Sequence, residues 1–362
     1  MLAASEKSVK ITNDMGNEKN LEHILLRGNN NLDLVRIVAA LMVIIGHSYS
    51  LSLNQTHHEP LKLLFPFTHL GQVAVAIFFF ISGILVTNSL ATSGNIAAFS
   101  ISRFFRIYPP FVFTILVTAL VIGPIAYHGD ISQYFSSPRL ISYIKLNLQL
   151  DIQYFIDGVF VGNNDRGSVN GSIWTIPVEI SAYLVVLSVY LFTGFNKRNI
   201  VSAICLFIIA TPLSNIDGFN FIVNKKSAAY LLPSIFALGA LYAINKEKII
   251  VDWKAPLAFF ILYKTSFSPY LSHFAFFACL CTATLYLSTF RITRAINIKH
   301  DISYGAYLWG FPIQQLLCYF YRLDTVGLIF YSVLSSILAG YISYFLIERP
   351  SMNFGKKVRS LL

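Results

Sequence analysis

Polar and apolar positions in this chain fall into blocks. Runs of about twenty mostly apolar residues, the length an α-helix needs to cross hydrocarbon, are separated by polar connectors. Such runs cover 33–52, 70–90, 107–127, 173–193, 199–216, 228–244, 255–267, 270–290, 302–320 and 325–347. The seventh is short and is interrupted around Lys264 and Pro269. The pattern predicts an all-α polytopic membrane protein of about ten transmembrane helices. Residues 1–30 are polar and mixed in charge, without the apolar stretch of a secretory signal. They are expected to form a disordered cytosolic tail ahead of a membrane domain over 31–355.

Composition agrees with the blocks. Of 362 residues, 55% are hydrophobic and 12% charged, about half the charged share of a soluble domain, roughly 25%. Mean hydropathy is +0.62. The net charge of +10 has a topological explanation, so no nucleic-acid partner is expected. Ten spans put both termini on one side. If that side is the cytosol, 19 of the 27 basic residues fall inside and 8 outside, as the positive-inside rule requires. Cys205, Cys279, Cys281 and Cys318 all lie in apolar runs without metal-ligand spacing, and read as reduced, buried small hydrophobes with no metal site. The longest connector, 128–172, lies outside and is rich in Asp, Asn, Gly and Ser. A connector of that length is expected to be functional.

The chemistry is carried by polar residues inside the spans. The first reads N-N-L-D-L-V-R-I-V-A-A-L-M-V-I-I-G-H, with Asp33, Arg36 and His47 in an otherwise apolar run. Eleven residues make about three turns, so Arg36 and His47 share a helix face roughly 16 Å apart. Ionisable groups are costly in lipid and are functional candidates there. Arg103 and Arg106 precede the third span in R-F-F-R, one turn apart on one face. Three arginines can thus gather at the cytosolic surface, where a planar guanidinium fork suits phosphate. Counting rise per residue puts His47 about 9 Å from the outer edge of the core and Glu179, in S-I-W-T-I-P-V-E, at about the same depth. A histidine oriented by a carboxylate is a general base, so the two are expected to pair, with neighbouring Pro177 kinking its helix. Ser82 and Gly83 in F-F-F-I-S-G-I read as a close helix contact. The ninth span opens S-Y-G-A-Y-L-W-G-F-P, where Pro312 and the glycines suggest an irregular helix carrying Tyr304, Tyr307 and Trp309.

Arg36 and His47, F-F-F-I-S-G-I, R-F-F-R-I-Y-P, S-I-W-T-I-P-V-E, S-Y-G-A-Y-L-W-G-F-P and the closing I-E-R-P occur in that order. Together they resemble the acyltransferase-3 family of integral membrane O-acyltransferases over about residues 31–355. The resemblance implies ten helices, acetyl-CoA or another acyl-CoA as cytosolic donor, and transfer to a hydroxyl of a surface glycan such as O-antigen, capsule or exopolysaccharide. It implies a multi-pass protein of the bacterial cytoplasmic (inner) membrane. It carries over the family's essential Arg and His as Arg36 and His47, its R-x-x-R pair as Arg103 and Arg106, and its acidic span residue as Glu179. The chain departs at Gly310, where many members have His, which puts a polar catalytic group from the ninth helix in doubt. The chain stops at Leu362, shortly after Pro350, and is expected to be the form without a fused soluble domain.

The expected reaction follows. Arg36, Arg103 and Arg106 hold the phosphates of acyl-CoA, and His47, oriented by Glu179, deprotonates an acceptor hydroxyl that attacks the thioester. Transient acylation of His47 is a second route. The acceptor is expected to be lipid-linked and to enter from outside, beneath the 128–172 connector. Two other classes fit a multi-span chain with buried charge: a transporter or flippase, and a sensory or binding protein without catalysis. Against a transporter, paired interrupted spans in two matching halves are not found.

Overall fold

The computed structural model describes residues 20–53, 58–213 and 230–361, and among them the chain is helical with only two isolated β-bridges. The principal helices are α1 (Leu32–Leu51), α2 (Leu70–Ser93), α3 (Ile96–Val117), α4 (Pro138–Leu148), α5 (Thr175–Thr193), α6 (Arg198–Ala210), α7 (Leu232–Ile244), α8 (Lys254–Thr265), α9 (Pro269–Ser288), α10 (Ser303–Tyr321), α11 (Thr325–Ser343) and α12 (Arg349–Arg359). A π-helical turn, Thr118–Ile122, prolongs α3 to Ile125, and another, Tyr344–Glu348, joins α11 to α12.

Every expected span has a helix on it, but the helices differ in kind. Among the described residues six are long and apolar enough to cross a membrane: α1, α2, α5, α9 and the extended runs Ile96–Ile125 and Thr325–Arg359. Helices α6 and α7 are apolar but only 13 residues each, and the expected span residues 214–216 and 228–229 lie outside the described ones. Helix α8, on the interrupted seventh run, has 12 residues. Helix α10 has 19 residues but is less apolar, because it carries four tyrosines and the Gln314–Gln315 pair. Of the expected N-terminal tail, residues 1–19 lie outside the described ones. Residues 20–30 carry a short helix, Leu21–Ile24, with both end residues buried. The connector 128–172 holds more order than its composition suggests. Ser137 caps α4, Pro138 occupies its first turn, and Leu140, Tyr143 and Asn147 form a buried stripe.

Contacts divide the chain into two units. The first comprises the chain up to Arg36, Val75–Gly94 and Ala182–Lys299. In it α6 packs on α7 and α8 on α9, and α2 meets α7 at a crossing of two glycines. A Cβ on Gly83 would lie 2.2 Å from the Phe236 carbonyl oxygen, and one on Gly239 would lie 2.2 Å from the Phe80 carbonyl oxygen. The F-F-F-I-S-G-I run is therefore a packing motif, as expected, because only hydrogen fits between the two backbones. Asn31 ties the start of α1 into the same unit. Its side chain donates to the carbonyls of Thr293 and Ile296 at 2.7 and 2.8 Å and accepts from the Leu34 N–H.

The second unit comprises Ile37–Ala74, Asn95–Ser181 and His300–Leu362. Here α10 lies along α11 and α12 along α3. A Cβ on Gly340 would meet the Ile302 oxygen at 3.0 Å, and one on Gly355 would meet Phe105 Cβ at 2.9 Å. All the expected site residues except Arg36 belong to this unit.

The glycine crossing makes a test. Gly83→Ala forces a methyl into a backbone carbonyl that cannot rotate away, and is expected to destabilise by about 3 kcal/mol or more, the upper part of overpacking costs. Leu334→Ala, at an exposed position (59%) of α11, is expected to leave stability unchanged. Thermal midpoints of the detergent-purified proteins, followed by monodispersity, compare the two.

Candidate active site

His47 sits in the fifth turn of α1. Its ring meets Phe311 of α10 edge-on, with centroids 5.1 Å apart and planes at 82°. Protein surrounds the ring, yet part of its surface stays accessible. The titratable group within its electrostatic reach is a second imidazole, His69, the residue before α2. Gly46 brings these segments together, since a Cβ there would fall 3.0 Å from the Gly71 nitrogen and 3.5 Å from Leu70 Cβ. The His69 ring lies over Gly71, 3.2 Å from where that residue's Cβ would be. Burial, with Lys62 nearby, holds His69 below the usual imidazole value, so it is neutral at physiological pH. Glu59 accepts from the Leu70 N–H and so caps α2 from outside the helix. Burial raises its carboxyl above the usual range, against the opposing pull of that hydrogen bond and Lys62.

Glu179 lies one turn into α5 and is not among the groups that His47 touches or senses. The expected direct His47–Glu179 pair is therefore corrected: matched depth along two helices does not aim their side chains at each other. Glu179 lies within electrostatic reach of Tyr307 instead. The Tyr307 hydroxyl is buried and donates to the Ser172 carbonyl, leaving Thr175 Oγ1, 2.7 Å away, to donate to the Tyr307 oxygen. Pro177 does not kink α5. The helix starts at Thr175, so Pro177 occupies the first turn, where a missing N–H costs nothing.

Elsewhere prolines do free carbonyls, and distant side chains occupy them. Pro109 cannot donate to the Phe105 carbonyl, and Ser351 Oγ does so at 2.6 Å. Pro312 cannot donate to the Leu308 carbonyl, and Asn170 Nδ2 does so at 3.0 Å. The expected irregularity of α10 is thus absorbed without a break. Around it the 128–172 connector is stitched down. Asn163 Nδ2 donates to the Gln315 carbonyl and side-chain oxygen at 2.9 and 2.8 Å, and Gln315 Nε2 donates to the Ser168 carbonyl at 2.8 Å. Gln314 Nε2 donates to the Ile44 carbonyl and Ser48 Oγ of α1, both at 2.7 Å. At Gly310 a Cβ would lie 2.7 Å from Ile44 Cγ1. The space beside Gly310 is thus filled by Ile44 of α1.

Arg36 is half-buried in the second turn of α1. Arg103 and Arg106 lie one turn apart on α3, the first with its guanidinium 5.8 Å from the Phe99 ring centroid. Arg106 Nη2 is 2.7 Å from Asp301 Oδ2, and Arg106 Nη1 is 4.0 Å from Met352 Sδ. The backbone around Arg106 is held on both sides, by Ser351 on the Phe105 carbonyl and by Tyr304, whose hydroxyl donates to the Ile107 carbonyl at 2.9 Å. Asp301, His69 and Asn170 carry no local mark in the sequence. A polar pair inside an apolar run, Gln314–Gln315, was the available sign that the 128–172 connector docks on α10. The four cysteines are free, and no group of His, Cys, Asp or Glu able to hold a metal occurs among the described residues.

Residues 29–347 match the family described as Acyltransferase domain. An O-acetyl transferase of Shigella phage Sf6 is 25% identical over 343 residues, covering 89% of this chain and 95% of that protein. Nodulation protein 10 of Rhizobium leguminosarum bv. viciae is 25% identical over 352 residues, covering 89% and 93%. A peptidoglycan O-acetyltransferase of Listeria monocytogenes is 24% identical over 290 residues, covering 68% of this chain and 45% of its own length. No solved structure matches the chain. A family match over most of the chain decides for an enzyme over a transporter or a sensory protein. The chain belongs to the acyltransferase-3 family of membrane O-acyltransferases.

Proposed function

We propose that this enzyme takes an acyl group, acetyl in the first instance, from cytosolic acyl-CoA and transfers it to a hydroxyl of a surface glycan such as O-antigen, capsule or exopolysaccharide. It works as a multi-pass protein of the bacterial cytoplasmic membrane, with ten spans and both termini in the cytosol. The observation that carries the reading is His47, an imidazole enclosed by protein in a membrane helix yet partly accessible, in a chain of this family. A peptidoglycan O-acetyltransferase among the relatives supports a glycan acceptor. The acceptor is lipid-linked and reaches the site from outside, beneath the docked connector.

His47 acts as general base. It takes the proton from the acceptor hydroxyl as that oxygen attacks the thioester carbonyl; the carbon–sulfur bond then breaks, and the proton passes from His47 to the CoA sulfur. Help of this kind is worth about 10² to 10⁴ in rate. Arg36, Arg103 and Arg106 hold the phosphates of the donor on the cytosolic side. Glu179, grouped with Tyr307 and Thr175, serves the acceptor side of the site and acts on His47 only indirectly.

Two outcomes are expected. His47→Ala abolishes acetylation of the surface glycan, seen by mass spectrometry as loss of the acetyl mass on one sugar, while protein yield and thermal midpoint stay at the parent's level; near-parental acetylation would remove His47 from the chemistry. Arg36→Lys keeps the charge but loses the bidentate fork, and is expected to weaken acetyl-CoA binding by about tenfold. Parental affinity in that variant would make Arg36 a topology residue.

A further inference from the structure

Asp301 stands just ahead of α10, outside every run on which the family resemblance rests. Its side chain is 12% exposed and is committed twice. Oδ2 lies 2.7 Å from Arg106 Nη2, and Oδ1 accepts from both the N–H and the hydroxyl of Ser303, at the start of α10. The carboxylate is therefore held through one oxygen by Ser303, the first residue of α10, while the other oxygen meets the arginine. Arg106, 29% exposed on its side chain, has its backbone neighbours held by Ser351 and Tyr304 and its guanidinium held by Asp301. An arginine on a free helix surface samples many rotamers. One clamped along one edge presents the rest of its fork in a single direction, with less ordering left for a ligand to supply.

We propose that Asp301 is a positioning residue for donor binding: it sets the Arg106 guanidinium so that the edge turned away from the carboxylate meets a phosphate of the acyl-CoA donor. The inference rests on the reading of Arg106 as a donor-phosphate residue. It also accounts for the company kept by three separated runs. R-F-F-R-I-Y-P supplies the arginine and, through Pro109, the open Phe105 carbonyl. I-E-R-P is followed by Ser351, which closes that carbonyl. S-Y-G-A-Y supplies Ser303, which fixes Asp301, and Tyr304, which holds Ile107.

The test is equilibrium binding of acetyl-CoA to the detergent-purified full chain, with thermal midpoints recorded for each variant. Asp301→Asn keeps an oxygen for the Ser303 N–H and removes the charge; it is expected to weaken acetyl-CoA binding by about tenfold. Ser303→Ala removes one of the two Ser303 contacts and leaves the N–H contact and the ion pair, and is expected to weaken binding clearly less than Asp301→Asn does. Arg106→Ala is expected to weaken binding, and Arg106→Ala with Asp301→Asn to be no weaker than Arg106→Ala alone, because the carboxylate acts only through the arginine. Should Asp301→Asn not fold, Asp301→Ser, which also offers an oxygen without charge, takes its place. Parental binding in the Asp301 variant, additive losses in the double variant, or an equal loss in Ser303→Ala would each overturn the proposal. Weakened binding in Arg106→Ala beside parental binding in Asp301→Asn overturns this proposal alone. Parental binding in Arg106→Ala overturns it together with the donor-site reading.

Discussion

A carbonyl inside a membrane helix needs a donor, and proline takes one away. Water is absent from the hydrocarbon core, so each freed oxygen must be met by another part of the protein. In the second unit this constraint organises the structure. The oxygen freed by Pro109 is met by Ser351 at the head of α12, and the oxygen freed by Pro312 is met by Asn170 from the 128–172 connector. Each contact binds elements far apart in the chain, and each is chemically specific, because a hydroxyl or an amide must arrive where an N–H is missing. Prolines in α3 and α10 therefore act as docking points for elements that border the reaction site.

The two units are held in different ways. The first relies on close backbone approach, with Gly83 and Gly239 touching backbone to backbone and leucine, phenylalanine and alanine filling the remainder. The second carries more of the buried amide and phenol side chains, Gln314, Gln315, Asn147, Asn170 and Tyr307 among them, where the first has Asn31 and Tyr183. Burying so many polar groups is costly unless they are paired, and the pairs are made largely between the 128–172 connector, α1 and α10. The part of the molecule that spends stability on polar contacts is also the part that holds His47, Arg103, Arg106 and Glu179.

The surroundings of His47 suit acyl transfer. The ring packs on Phe311 and borders His69, which burial keeps uncharged. In the proposed reaction, a base that accepts a proton from a hydroxyl and returns it to a sulfur gains from a setting that does not trap it as the cation. Ile44 fills the place opposite Gly310, so the side chains that set the geometry here are partly apolar.

The order of apolar runs by itself determined that the chain is helical and built for a membrane, because length and hydropathy are local properties that lipid reads directly. Sequence also picked out His47, Arg36, Arg103, Arg106 and Glu179, since a charge in an apolar run is conspicuous wherever it finally points, and it identified Gly83 as a contact. Whether α6, α7, α8 and α10 cross the membrane was less legible, because short or polar-spotted helices depend on their neighbours. Partners were not legible at all. Rise per residue gives the depth of His47 and Glu179 but not their direction, so the tertiary structure alone set His47 beside His69 and Phe311 and set Glu179 near Tyr307. Asp301 meets Arg106 across 195 residues, and Asn170 meets Leu308 across 138. No local pattern encodes such pairs; they exist because folding brings an unsatisfied group and its complement to the same place.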